Sequence, residues 1–364
     1  MPYIEGGYTP SNFAAFKKRQ PSLSGDALAA KLDAWASYGT IEPDAAEAIK
    51  SICCSGKSIQ DNKKWKNTYF VIIGAYSQMG PYETLLMLGA NVIAIDIPKS
   101  LGRPTRADKS KNSAVEAWKT LVAIAEKHPG KLWVPIATSD SATEIAEASV
   151  ENFGANLAGT PRAIAEALSN LHTSLPGKPT FVIGNYTYLN GDLHVKLSLA
   201  SDAIIAKMTE VHPSTGCAFL CTPTDLHCIP DAARDAAKRN GAGLFATPYA
   251  LLCKVLSMGK FLQSNVNPKV GQHAFVDGIS VAQGPNYALA KRLQHWRAQI
   301  MAYNGKIVSS NIAPSTATVS VLQNKTFGWA YGGMPFFKPY VARCLVVSCF
   351  VPWLSRGAAS STLI

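Results

Sequence analysis

Tyr287 and Lys291 stand four residues apart. On a helix that spacing puts a phenol and an amine on one face, a turn apart. An ammonium so placed holds a phenol as a proton donor or acceptor near neutral pH. Chance produces such a pair in many helices, so it gains meaning only beside a second site. Gly74-Ala-Tyr-Ser-Gln-Met-Gly80 is a candidate for that site. It lies where an apolar run gives way to a helical stretch. Gly74 and Gly80 permit a tight turn and close backbone approach, with Ser77, Gln78 and Met79 between them. The N–H groups and positive end of a following helix would suit a pyrophosphate. Asp96 follows about 20 residues on, at the end of the next apolar run, where a carboxylate can accept from both hydroxyls of an adenosine ribose. Its charge opposes a 2′-phosphate and favours NAD over NADP, although Lys99, Arg103 and Arg106 could offset it.

These residues need a scaffold that brings early and late segments together. Residues 1–66 read as an N-terminal helical extension, with helices through Leu28, Leu32 and Trp35 and through Ala46, Ile49 and Ile52. The basic stretch Lys57–Lys66 reads as a solvated turn. From Tyr69-Phe-Val-Ile-Ile the texture becomes that of parallel strands buried on both faces. Strands are expected at Asn91–Asp96, Leu132–Ile136, Thr180–Gly184, Cys217–Cys221 and Lys306–Ile312. Helices are expected at Tyr82–Leu88, Ser113–His128, Thr160–Leu171, Ser198–Glu210 and Tyr287–Tyr303. The alternation predicts an α/β fold with a doubly wound, mostly parallel, Rossmann-like sheet over residues 67–340. An insertion at about 225–278 carries an apolar helix, Tyr249–Met258, with no evident sheet to complete. Residues 341–364 form a C-terminal tail whose run Cys344–Leu354 is apolar and too short to span a bilayer.

With the motifs in this order, the chain resembles the short-chain dehydrogenase/reductase family over about residues 68–140 and 280–320. The resemblance implies that Tyr287 exchanges a proton with a substrate oxygen while hydride moves to or from NAD or NADP. Lys291 would bind the nicotinamide ribose, and Thr316 or Thr318, after Pro314, would hold the carboxamide. Asp140 would touch the adenine, and Gly184-Asn185-Tyr186 would be the turn after strand 4. The family's catalytic serine has no direct match; Thr222, Thr224 or Ser280 are the candidates. Gln78 stands for a glycine of the family's turn, Ser315 for the glycine after its proline, and its helix asparagine has no clear counterpart. These departures motivate a second reading, a catalytically inactive nucleotide-binding or structural subunit of a larger assembly. A Rossmann-type methyltransferase is a weaker third.

The chain has 364 residues, 47% hydrophobic and 16% charged, which excludes disordered and fibrous classes. Lys and Arg number 35 against 24 Asp and Glu, a balance of +11 that favours anionic partners. The basic residues are dispersed, so a small-molecule substrate is expected rather than nucleic acid. The eight cysteines show no Cys-x-x-Cys pair, so no metal is expected, and they read as thiols of a reducing compartment, the cytoplasm or an organelle interior. No transmembrane span and no secretory signal is visible. A homo-oligomer or larger complex is compatible with the extension and tail. No Gly-x-Ser-x-Gly, Walker or His-Glu-x-x-His motif is present.

Overall fold

The computed structural model describes residues 23–38, 41, 43–54, 63–136, 149–189, 191–229, 231, 234–235, 237–239, 247–258, 266–270, 273–279 and 283–312. Helices α1 (Gly25–Tyr38) and α2 (Pro43–Cys53) form the N-terminal extension. Lys50 of α2 is ion-paired with Asp33 of α1 and with Glu47. The segment expected to be a solvated turn instead contains a single helical turn, α3 (Lys63–Lys66). Its Trp65 is buried in the main core against Phe70 and donates to the Leu88 carbonyl at 3.2 Å.

The central sheet has six strands, β1 (Thr68–Ile73), β2 (Asn91–Ile95), β3 (Lys131–Trp133), β4 (Thr180–Asn185), β5 (Gly216–Cys221) and β9 (Val308–Ile312). They run in the order β3-β2-β1-β4-β5-β9, every neighbouring pair parallel. Strand order reverses between β1 and β4, the place where open α/β sheets form a crevice at their carboxyl ends.

Side-chain alternation sorts the helices onto two faces. Phe70, Ile72, Val92, Ala94 and Val182 pack with α4 (Tyr82–Met87) and α5 (Ser113–Ala125), whose Leu86, Trp118 and Leu121 are buried. Val71, Ile73, Ile93, Phe181, Ile183 and Phe219 pack on the other face. They meet α6 (Pro161–Ser174), α7 (Asp192–Val211) and α9 (Pro285–Tyr303). Asn112 caps α5, its Oδ1 accepting from the Ala114 and Val115 amides. The doubly wound Rossmann-like arrangement read from the sequence is thus the one observed.

The insertion differs from expectation. Besides the apolar helix α8 (Pro248–Leu256) it contains β6 (Leu226–Ile229), β7 (Val266–Val270) and β8 (His273–Asp277). These make a separate antiparallel sheet in the order β6-β8-β7. A proline at 268 and a register shift between Asn267 and Val270 obscure the strand pattern of β7 in the sequence.

Candidate functional site at the carboxyl edge of the sheet

The turn after β1 is shaped by contacts within the protein. Gly74 has φ +80°, and a Cβ there would lie 2.9 Å from the Thr187 nitrogen. Its freedom therefore serves a close approach of the loops after β1 and β4, joined also by Tyr186 N–H to Ile73 O at 2.8 Å. Gly74 and Ala75 donate to Ile95 O, Ser77 to Gly74 O and Gly80 to Ser77 O. Tyr76 N–H donates to Asp96 Oδ2 at 2.8 Å, and Ile97 N–H to Asp96 Oδ1 at 2.8 Å. Asp96 is thus a clamp on the glycine turn. Burial raises its pKa from the usual carboxylate value, and the two backbone donors oppose that rise. Helix α4 is only six residues long, starts after Pro81 and carries Glu83 in its first turn. Its end is a weak attraction for an anion.

The second half of the site is built on α9 and the loop after β4. The Tyr287 ring lies 6.0 Å from Tyr188 and 5.8 Å from His194, and those two rings are 5.5 Å apart. Such tilted packing is favourable for aromatic rings. A turn further along α9, Lys291 Nζ donates to Leu220 O and to Gln294 Oε1, each at 3.2 Å. Burial first, then the Lys291 charge, pushes the His194 imidazole down to about 4, with the Thr187 backbone pulling the other way. Asn185, at the end of β4, accepts through Oδ1 from the Thr187 N–H and hydroxyl.

The structure therefore gathers Gly74, Ser77, Gln78, Met79, Gly80 and Asp96 after β1 and β2, and Asn185 after β4. Tyr287 and Lys291 stand at the same edge. Thr222, after β5, has its hydroxyl engaged with Thr224 at 2.7 Å, and its carbonyl lies 2.9 Å from His227 Nε2. Asp140, Ser280, Pro314, Thr316 and Thr318 lie outside the described residues, as does the apolar run 344–354.

The reading of single residues missed His194, Ser198 and Gln294. The signal for the first two is a polar line, His194, Ser198 and Asp202 at helical spacing, on a helix whose buried side chains include Leu197, Ala200, Ile204 and Ile205. Asp202 meets Arg297 of α9 through two hydrogen bonds, so that line continues along the contact between the helices. A second cluster joins the insertion to α9. Asp225 is bound by Arg292 and lies 3.7 Å from His295 Nδ1.

The donors at this edge decide whether a dinucleotide fits. At the turn, Met79 is an amide that does not serve the turn's own backbone bonds. Each Asp96 oxygen takes one N–H and keeps a second lone pair. At the other end, Asn185 Nδ2, at the end of β4, is buried without an acceptor. A dinucleotide laid along the edge would meet these groups, more of them at the Lys291 end than at the turn. Among the described residues no three His, Cys, Asp or Glu are grouped to hold a metal ion, and no helix is long and apolar enough to cross a membrane. The chain matches no family model and no curated protein.

Proposed function

We propose that this protein is an NAD(P)-dependent oxidoreductase of the short-chain type, acting on a carbonyl or alcohol, with Tyr287 as its acid–base group. One observation carries the reading. The turn at Gly74 abuts Thr187, and the next residue, Tyr188, packs on Tyr287. An early turn and a late phenol thereby share one sheet edge, with Lys291 a helical turn from the phenol.

When bound, a nicotinamide dinucleotide would supply or remove the hydride. Met79 N–H and Asp96 would hold its adenosine and phosphate side, and Asn185 and Lys291 the nicotinamide ribose. Tyr287 gives its hydroxyl proton to a carbonyl oxygen, or takes one from an alcohol. Lys291, a helical turn from Tyr287, would bring positive charge towards the phenol and is itself anchored by Leu220 and Gln294.

Tyr287→Phe tests this directly. Turnover on an aldehyde and ketone panel is expected to vanish, while calorimetry shows unchanged binding of NAD(H) or NADP(H). Unchanged turnover discards the mechanism. A second reading, a nucleotide-binding or structural subunit without catalysis, draws its structural side from the turn, where the amides of Gly74, Ala75, Tyr76, Ser77 and Gly80 are all bonded within the protein. Binding without turnover in the parent protein would select a sensor, and absence of binding a structural subunit.

A further inference from the structure

Ser198 Oγ, Gln294 Nε2 and Asn185 Nδ2 are buried without a hydrogen bond to the protein, and the His194 nitrogens have no more than a weak contact with the Thr187 backbone. Their residues are at most 3% exposed. Leaving such a group unsatisfied is costly, and native proteins keep few of them. Here they form a series. His194 and Ser198 are one turn apart on α7. Gln294 shares the Lys291 ammonium, whose charge also acts on His194. Asn185 accepts from Thr187, whose backbone makes the weak contact with the His194 ring. Helices α7 and α9 pack along each other, and ordinary apolar packing is supplied a turn away by Leu197, Ala200 and Ala298.

We propose that His194 is the positioning residue of the Tyr287–Lys291 pair: with Ser198 and Gln294 it holds internal water in the seam between α7 and α9, and that water fixes the phenol and the ammonium. This rests on Tyr287 being the acid–base group. Water is the occupant the chemistry asks for. The amides of Asn185 and Gln294 need acceptors, while a neutral imidazole and a hydroxyl need one partner of each kind. A molecule with two donors and two acceptors meets both needs in a small buried space. A charged imidazole would repel Lys291, so the ring stays neutral, and its contacts with Tyr188 and Tyr287 fix its tilt.

The test uses the full chain with His194→Phe, which keeps the ring and deletes both nitrogens, and His194→Asn, which restores polarity. The Phe variant is expected to unfold at the same or higher denaturant concentration than the parent, because orphaned polar atoms are gone. Its turnover is expected to fall about tenfold to hundredfold with an altered pH profile, and Asn to recover part of it. Unchanged turnover in His194→Phe overturns the proposal. A second measurement needs neither cofactor nor turnover. In protein labelled with ¹⁵N at histidine, both His194 nitrogens should show the shifts of hydrogen-bonded atoms, and Tyr287→Phe should move them. Nitrogens without hydrogen-bond shifts, or indifferent to Tyr287→Phe, overturn it as well. If the parent shows no turnover on any substrate, the oxidoreductase reading fails while this nitrogen measurement still decides the role of His194. It decides equally if His194→Phe does not fold.

Discussion

Gly74 and Thr187 meet backbone to backbone where the strand order of the sheet reverses, leaving 2.9 Å between a Cβ on the glycine and the Thr187 nitrogen. The same glycine adopts φ +80°, which costs an L-residue about 1–2 kcal/mol. Neither loop can yield easily, since Tyr186 N–H is bound to Ile73 O and Gly74 N–H to Ile95 O. Gly74→Ala is therefore expected to lower stability by about 2–4 kcal/mol, strain and overpacking together. Urea unfolding measures it. A loss under about 0.5 kcal/mol would mean that the two loops separate at little cost.

Asp225 and Arg292 give a second stability prediction. The Asp225 side chain is 7% exposed, and Arg292 donates to it through Nε at 2.9 Å and through a second guanidinium nitrogen. Asp225 also accepts from Leu226 N–H at the entry to β6. Removing one partner of a buried pair costs about 3–5 kcal/mol, because the other charge is left behind. Asp225→Ala should show that loss in urea, with earlier proteolytic cutting in the insertion. The double variant Asp225→Leu with Arg292→Met should recover part of it. No recovery would show that the Leu226 bond and the His295 contact matter more than the ion pair.

How far the sequence reveals this molecule follows from the range of the forces involved. Strands β1, β2, β4 and β5 are buried on both faces, so each appears as an apolar run readable by itself. β3 stops at Trp133 rather than Ile136, because Val134 and Ile136 pack on the core without joining the ladder. α7 begins at Asp192, well before Ser198, since Gly191 at φ +74° ends the preceding loop and Asp192 pairs with Lys196. The Tyr287/Lys291 pair is local and was visible. The contacts that give it meaning, Tyr188 and His194, come from the loop after β4 and from α7, and no local pattern announces them. Asp96 shows the same limit in another way. Its position was legible, but its engagement with Tyr76 depends on how the turn folds back over β2.

That engagement gives Asp96 a defined pH signature. Its folded pKa is raised by burial, so the folded state binds this proton more tightly than the unfolded chain does. The resulting stability is present at acid pH, below the ordinary carboxylate value, and is lost as pH rises through the raised value. Asp96→Asn should flatten that part of the stability–pH curve while lowering stability at neutral pH, because one of the two backbone donors loses its acceptor. An unchanged slope would assign the acid-side behaviour to other carboxylates.

The histidines act with the opposite sign. His194, His172 and His295 are all lowered, first by burial. A base with a depressed folded pKa contributes stability above its unfolded value of about 6.5, lost as pH falls through the folded value. For His194, held down to about 4 and 1% exposed, the full window amounts to about 3 kcal/mol. His212, stacked on His172 at 3.8 Å, and His227, 5.0 Å from His295, lower these two rings further. Unfolding free energy should therefore fall steadily from pH 6.5 towards pH 4, against the slope that Asp96 contributes. Denaturant titrations across that interval, repeated with His194→Phe, separate the contributions: the variant should lose less stability on acidification than the parent. Equal losses would mean that the His194 imidazole takes up its proton in the folded state near the ordinary value, which a ring wedged between Tyr188, Tyr287 and a lysine should not do.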